Sequence, residues 1–374
     1  MKEFVVKTLN TDDIESEIEK IGFDSSYINK AADKCKFVNL KIFDLIPAQA
    51  NILKQTALSV GADCATNKNV ITGNCERSDV ILSGSISHIK KISEKLKQQP
   101  FLLKDLADKL LSSVVYKKER TKIVGIVNVT PDSFSDGGMY LNPKDAISHA
   151  ISLVEDGADM LDIGAESTRP YSTGVPFDIQ IERLLPVLKG LKNINVPISV
   201  DTRSSLVAEA VLDNGASIIN DVSGLSYDPR IADIAAKYNA AVIVQHSNGE
   251  PENMQDNPVY SDVVEDIYFS LRNKIELAKY KGLKDIIVDV GIGFGKTKED
   301  NFTLLNRIEE FYSLGCPVMV GVSRKSLLGL SDSGNNDLKD ALSLAVSYPL
   351  MQKKVDYLRV HNVKLHKQLL DLTI

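Results

Sequence analysis

Lys122-Ile-Val-Gly-Ile-Val-Asn128, followed by Val-Thr-Pro-Asp-Ser-Phe-Ser-Asp-Gly-Gly138, is the stretch whose reading decides the fold. Five of its first seven residues are apolar or small, the pattern of a strand buried on both faces. The strand empties into a polar loop holding Asn128, Thr130, Asp132, Ser133, Ser135 and Asp136. Pro131 fixes one backbone angle there and Gly137-Gly138 free two others. Taken alone, such a loop reads as a solvated turn whose Asn and Asp cap the next helix. The rest of the chain argues against that reading.

From Lys122 onward the rhythm is regular. Strand-like apolar runs lie at 123–128, 160–164, 197–201, 217–220, 241–246, 285–290, 317–322 and 357–360. Amphipathic helical stretches separate them, at 143–156, 178–191, 204–214, 229–238, 259–280, 298–309, 337–351 and 363–372. Strand-then-helix units repeated over about 250 residues are the signature of a (β/α)8 TIM barrel. A doubly wound open sheet is the competitor, but its first strand usually leads into a Gly-rich phosphate turn. Asn128-Val-Thr-Pro-Asp is not such a turn.

Catalytic groups in such a barrel sit at the C-terminal ends of the strands. Those ends carry Asn128, Glu166-Ser-Thr-Arg169, Asp201-Thr-Arg203, Asn220-Asp221, Gln245-His246, Asp289, Ser323-Arg-Lys325 and Arg359-Val-His361. A single Asp after a strand is often a helix cap; polar residues closing every unit describe a pocket. Arg169, Lys325, Arg359 and His361 form a cationic group near the starts of following helices. Each alone reads as a surface ion pair, but together with helix N-termini they suit a phosphorylated or pyrophosphorylated ligand. Asp201, Asn220 and Asp289 each end an apolar strand, so burial forces them to find hydrogen-bond partners. Loop backbone could supply these, and so could a donor-rich heterocycle such as a 2-amino-4-oxo ring. Gly291-Ile-Gly-Phe-Gly-Lys296 lacks P-loop spacing and reads as a tight turn.

At 374 residues the chain calls for a large domain plus a small one, drawn here as residues 1–119 and 120–374. The first part reads as mixed α/β. Helices are expected at 13–21, 28–34, 47–60, 87–97 and 103–112, and strands at 37–43, 69–72 and 80–83. No catalytic constellation stands out there: Asp63, Cys64, Asp79 and His88 read as turn, core or surface residues. The net charge of −6 argues against nucleic-acid binding. The four cysteines show no metal-ligand spacing, and neither a signal peptide nor a membrane span is visible. A cytoplasmic protein is expected.

Seven blocks, in order, carry a resemblance. They are Asn128–Gly138, Asp162-Ile-Gly-Ala-Glu-Ser-Thr-Arg-Pro170, Ser199-Val-Asp-Thr-Arg203, Asn220-Asp-Val-Ser-Gly224, Gly293-Phe-Gly-Lys296, Ser323-Arg-Lys-Ser326 and Arg359-Val-His361. Across residues 122–372 the chain resembles dihydropteroate synthase, a (β/α)8 barrel of folate biosynthesis. That family joins p-aminobenzoate to (7,8-dihydropterin-6-yl)methyl diphosphate, releasing pyrophosphate, with Mg2+. The resemblance implies Asn128 as the Mg2+ ligand, and Arg169, Arg359 and His361 on the diphosphate with Thr168 beside them. It implies Asp201, Asn220, Asp289, Phe294 and Lys325 around the pterin. It also implies two closing loops, 130–140 and 166–175, with Thr130, Phe134, Pro170, Lys325 and Ser326 near p-aminobenzoate. A homodimer is implied as well.

Ala165, Tyr171, Val290, Asn362 and the Gln245-His-Ser-Asn-Gly249 segment depart from the family pattern and are expected to alter the pocket lining. Two other readings remain: a methyltetrahydrofolate-dependent methyltransferase-like barrel, and an inactive homologue serving binding or assembly. The complete first loop weighs against the former, and the intact charged set against the latter.

Overall fold

In the computed structural model, residues 4–9, 13–114, 119–130, 142–166, 174–249, 258–329 and 335–372 are described. The chain divides into two compact units, Met1–Tyr116 and Lys117–Ile374.

The first unit runs α1 (Ile14–Lys20), α2 (Ile28–Cys35), β1 (Phe37–Leu45), α3 (Pro47–Leu58), β2 (Asp63–Thr66), β3 (Ser78–Ser85), α4 (Ile86–Leu96) and α5 (Leu103–Val114). Its strands form an antiparallel sheet in the order β1-β3-β2. Alternation along β3 turns Val80 and Leu82 into a core with Leu53 of α3, Ile89 and Ile92 of α4, and Leu110 of α5. The second strand in sequence is not at 69–72. It is β2, six residues earlier, because Asn67 organises the following segment as a turn: its Oδ1 accepts from Asn69 N at 2.9 Å and its carbonyl from Val70 N at 3.0 Å. Several polar residues in this unit serve the backbone. His88 and Ser85 cap α4 reciprocally, and Asp79 accepts the amide of Asp44 at a bulge in β1.

The second unit is the barrel. Its strands are β4 (Lys122–Asn128), β5 (Met160–Gly164), β6 (Ile198–Asp201), β7 (Ile218–Asp221), β8 (Ala241–Gln245), β9 (Ile286–Asp289), β10 (Val318–Val320) and β11 (Tyr357–Val360). The helices between and after them are α6 (Pro143–Glu155), α7 (Phe177–Gly190), α8 (Ser205–Leu212), α9 (Arg230–Tyr238), α10 (Val263–Tyr280), α11 (Lys298–Asn306), α12 (Asn336–Gln352) and α13 (Val363–Leu372). All neighbouring strands are parallel, and β11 pairs with β4 to close the ring.

Alternation sorts each strand into two sets. Residues such as Ile163, Val200, Val244, Val288 and Val360 face outward and pack beneath the helices. Val124, Met160, Ile218, Ile243, Ile287 and Met319 face inward and form a separate apolar cluster. That inner cluster is the floor of everything described next.

Candidate active site

Two residues beyond most of these inward positions, on the same face, the chemistry changes. Met160 is followed by Asp162, Ile218 by Asn220, Ile243 by Gln245, Ile287 by Asp289, and Tyr357 by Arg359. On β6, Ser199 and Asp201 share this face, and Asn128 ends β4. A period of two thus lays a polar layer on an apolar floor.

Arg359 ties the layer together. Its Nε donates to Asp162 Oδ2 at 2.6 Å and a terminal nitrogen reaches Asp201 Oδ2 at 3.4 Å. Asn220 Nδ2 donates to the same Asp162 oxygen at 3.0 Å. Burial, and next the charge of Asp162, pushes the Asp201 carboxyl up to about 8. Burial likewise raises Asp289, whose Oδ1 accepts from Gly291 N at 2.7 Å. Among the described residues, four atoms of this layer are buried without a protein partner: Asp162 Oδ1, Ser199 Oγ, Asn220 Oδ1 and Gln245 Nε2. Three acceptors and a donor on one surface match a ring with several N–H groups and a carbonyl.

Lys325 closes one side. Its ammonium donates to Ile292 O at 2.5 Å and lies 4.7 Å from the Phe294 ring centroid, and burial lowers it to about 8. His361 is oriented by Ser323, whose Oγ meets His361 Nδ1 at 3.0 Å and accepts from its backbone N–H at 3.2 Å. Asn128 adjoins Gly164, which adjoins Asp201, in the strand register. A Cβ at Gly164 would sit 3.5 Å from the Asp201 Cβ and 3.9 Å from Asn128 Oδ1, so glycine keeps that gap clear. Thr130 is buried just past Asn128. Phe134, Thr168, Arg169, Pro170 and the side chain of Ser326 lie outside the described residues.

Several polar strand ends instead build the rim. Glu166 accepts from Val175 N, Gln180 and Arg203, while Arg203 also stacks on Tyr227 at 4.5 Å. Asp221 accepts from Ser223 N and Leu225 N and shapes its turn. Arg324, held at φ +58, forks onto Asp340 of α12 at 2.6 and 2.8 Å, and Asn362 joins the same carboxylate at 3.0 Å. This clamp sets the backbone between Ser323 and Lys325. Asp340→Ala is therefore expected to cost about 1–3 kcal/mol in urea unfolding, with half-buried Arg324 losing its fork. A loss within error of zero would deny the clamp.

Asp162 was not singled out as a ligand-facing residue by the sequence, because it lies inside a strand rather than at its end. Its signal was parity with Met160.

A family model described as "Pterin binding enzyme" matches residues 124–361, more than half of the chain. The chain belongs to the pterin-binding enzyme family. A Helicobacter pylori bifunctional dihydropteroate synthase/dihydropteroate reductase is 32% identical over 373 residues, covering 98% of this chain and 97% of that protein. A probable bifunctional folylpolyglutamate synthase/dihydropteroate synthase of Haloferax volcanii is 36% identical over 344 residues, 84% of this chain. The chain spans 40% of the length of that protein. Among solved structures, Xanthomonas albilineans dihydropteroate synthase with 4-aminobenzoic acid superposes with a TM-score of 0.63. It is 37% identical and covers 68% of this chain and 92% of its own. The matched residues run from β4 to the end of β11.

Proposed function

We propose that the chain is a dihydropteroate synthase, condensing p-aminobenzoate with (7,8-dihydropterin-6-yl)methyl diphosphate to give 7,8-dihydropteroate and pyrophosphate. The observation that carries this reading is the inward layer above the apolar floor, with Asp162 Oδ1, Asn220 Oδ1 and Ser199 Oγ as acceptors and Gln245 Nε2 as donor. A 2-amino-4-oxopteridine offers the complementary donors and carbonyl. Asp201, Asn220 and Asp289 receive its N–H groups, and Lys325 with Phe294 bounds the ring. Arg359 and His361 meet the diphosphate, Arg169 and Thr168 join them, and Thr130, Phe134, Pro170 and Ser326 approach p-aminobenzoate.

The reaction breaks the bond between the methylene carbon and the diphosphate oxygen, and the arylamine nitrogen forms the new bond. The amine proton leaves to solvent, so no covalent intermediate with a side chain is needed. Positive charge developing at the methylene spreads into the electron-rich pterin. Arg359 and His361 stabilise the departing anion, and the walls keep water from the cation. Holding the amine against the methylene replaces a strong base by proximity.

Among the described residues no cluster of three His, Cys, Asp or Glu could hold a metal. Asn128, a single amide oxygen at a strand end, suits Mg2+ that arrives with a diphosphate and keeps most of its ligands as water and phosphate. Bound there, Mg2+ neutralises charge on the leaving group. Dihydropteroate formation is expected with Mg2+, collapsing on chelation with EDTA. Asn128→Ala is expected to lower turnover by about a hundredfold or more. Absence of product from the full chain with both substrates and Mg2+ would sink the reading.

The full-length match to the Helicobacter pylori protein supports a second activity on the product, reduction of dihydropteroate. Oxidation of NADPH by the full chain in the presence of dihydropteroate tests it, and no oxidation would exclude a nicotinamide-dependent reductase. No described helix is long and apolar enough to cross a membrane. The proposed assembly is a cytoplasmic homodimer, which sedimentation of the full chain checks.

A further inference from the structure

The segment Gly291-Ile-Gly-Phe-Gly295 turns its backbone carbonyls inward rather than to solvent. Gly291, Gly293 and Gly295 take φ values of +68, +84 and +62, which flip alternate peptide planes. The carbonyl of Ile292 faces Lys325 Nζ, and that of Gly295 accepts from the Tyr260 hydroxyl at 2.7 Å. The carbonyls of Gly291 and Phe294 both face Lys296 Nζ, at 2.8 and 2.9 Å. The same ammonium reaches across to the end of β8, lying 3.1 Å from His246 Nδ1 and 3.4 Å from His246 O.

Lys296 is only 4% exposed. Among the described residues no carboxylate bonds to it; its partners are neutral acceptors. It therefore occupies the place of a bound cation in a carbonyl cage. What the cage holds matters more than the cage. Its first amide, Gly291 N, donates to Asp289 Oδ1 at 2.7 Å. Its middle supplies both the acceptor and the aromatic face for Lys325.

We infer that Lys296 is a positioning residue of the pterin pocket: its ammonium is an internal cation that fixes the Gly291–Gly295 turn and, through it, Asp289, Phe294 and Lys325. The inference rests on the dihydropteroate synthase reading and adds to it a group that never touches substrate. Without the ammonium, at least two inward carbonyls lose their donor, and the turn relaxes to satisfy them. Asp289 and Lys325 then lose their aim, while Arg359, His361 and Asn128 on other strands keep theirs. Ring binding suffers and leaving-group chemistry does not.

The test uses the full chain and two probes, the pterin diphosphate in turnover and 6-hydroxymethyl-7,8-dihydropterin in calorimetry. Lys296→Met nearly keeps the volume of the side chain and removes its terminal nitrogen. It is expected to raise KM for the pterin diphosphate, and Kd for the pterin, by about tenfold or more, with kcat held within about threefold. Lys296→Ala leaves room for a small cation. Ethylammonium, but not ethanol, is expected to return its pterin Kd to within about threefold of the wild type. Unchanged pterin affinity in Lys296→Met would overturn the inference. So would an affinity in Lys296→Ala that ethylammonium leaves low, since a purely structural defect gives no cation-specific rescue. Should the wild type bind the pterin yet make no dihydropteroate, the synthase reading fails and the binding comparison still decides the role of Lys296.

Discussion

Arg359→Met is expected to lower kcat/KM by about a thousandfold or more, the largest loss among the described single side chains. Two effects combine. The guanidinium proposed to face the departing diphosphate is gone, and Asp162 and Asp201 lose the cation that bridges them. Neither carboxylate has another positively charged partner within hydrogen-bond reach among the described residues. Asp201, already raised by burial and the charge of Asp162, loses the cation that lowers it and ionises less readily, which weakens an acceptor needed by the ring. The loss is thus expected in kcat as well as in KM. Asp162→Asn, which keeps the volume and one acceptor, is expected to show a milder version of the same profile. A fall of less than tenfold in Arg359→Met would place the diphosphate elsewhere.

Gly291→Ala is the substitution with the largest expected cost in stability. Its Cβ would lie 1.8 Å from the carbonyl oxygen of His246, a backbone atom that cannot rotate away. Left-handed backbone strain accounts for about 1–2 kcal/mol. The clash brings the expected total to about 3 kcal/mol or more in urea unfolding. Gly315→Ala is the control, with φ +71 and nothing within 4 Å of the added Cβ. It should show the strain alone. Equal losses in the two variants would mean that the β8 end and the Gly291 turn are not in the tight apposition described.

The barrel was legible because parallel strands buried on both faces read as near-continuous apolar runs with polar ends. Asn128, Asp201, Asn220, Asp289, Arg359 and His361 were singled out as candidates this way, since each sits at or next to a strand end, and Lys325 lies in the loop that follows β10. Position at an end did not separate the two fates of such residues. Asp201 faces the pocket, whereas Arg203 two residues later pairs with Glu166 and stacks on Tyr227. Asp162 escaped notice because only facing parity, not position, betrays it. Lys296 escaped for another reason: a lysine after a glycine turn reads as solvated, and only the folded chain shows the carbonyls gathered around it. In the first unit, Asn69–Thr72 looked like a strand by composition, but the Asn67 side chain and carbonyl captured its backbone first.

The measurement that bears most directly on the central claim, that the inward layer recognises a donor-rich ring through buried carboxylates, is proton-linked calorimetry. Burial and the neighbouring charge of Asp162 hold the Asp201 carboxyl above the usual carboxylate range, so it keeps a proton more readily than an ordinary Asp. Ring N–H groups favour its ionised form, so binding drives its proton off. Titrating the full chain with 6-hydroxymethyl-7,8-dihydropterin at about pH 7, in buffers of different ionisation heat, is expected to show one ring bound and up to about one proton released. Affinity should rise with pH, by at most about tenfold per unit, and level off once Asp201 ionises unaided. Asp201→Asn should abolish the release. No binding, or binding without proton release at neutral pH, would contradict the claim.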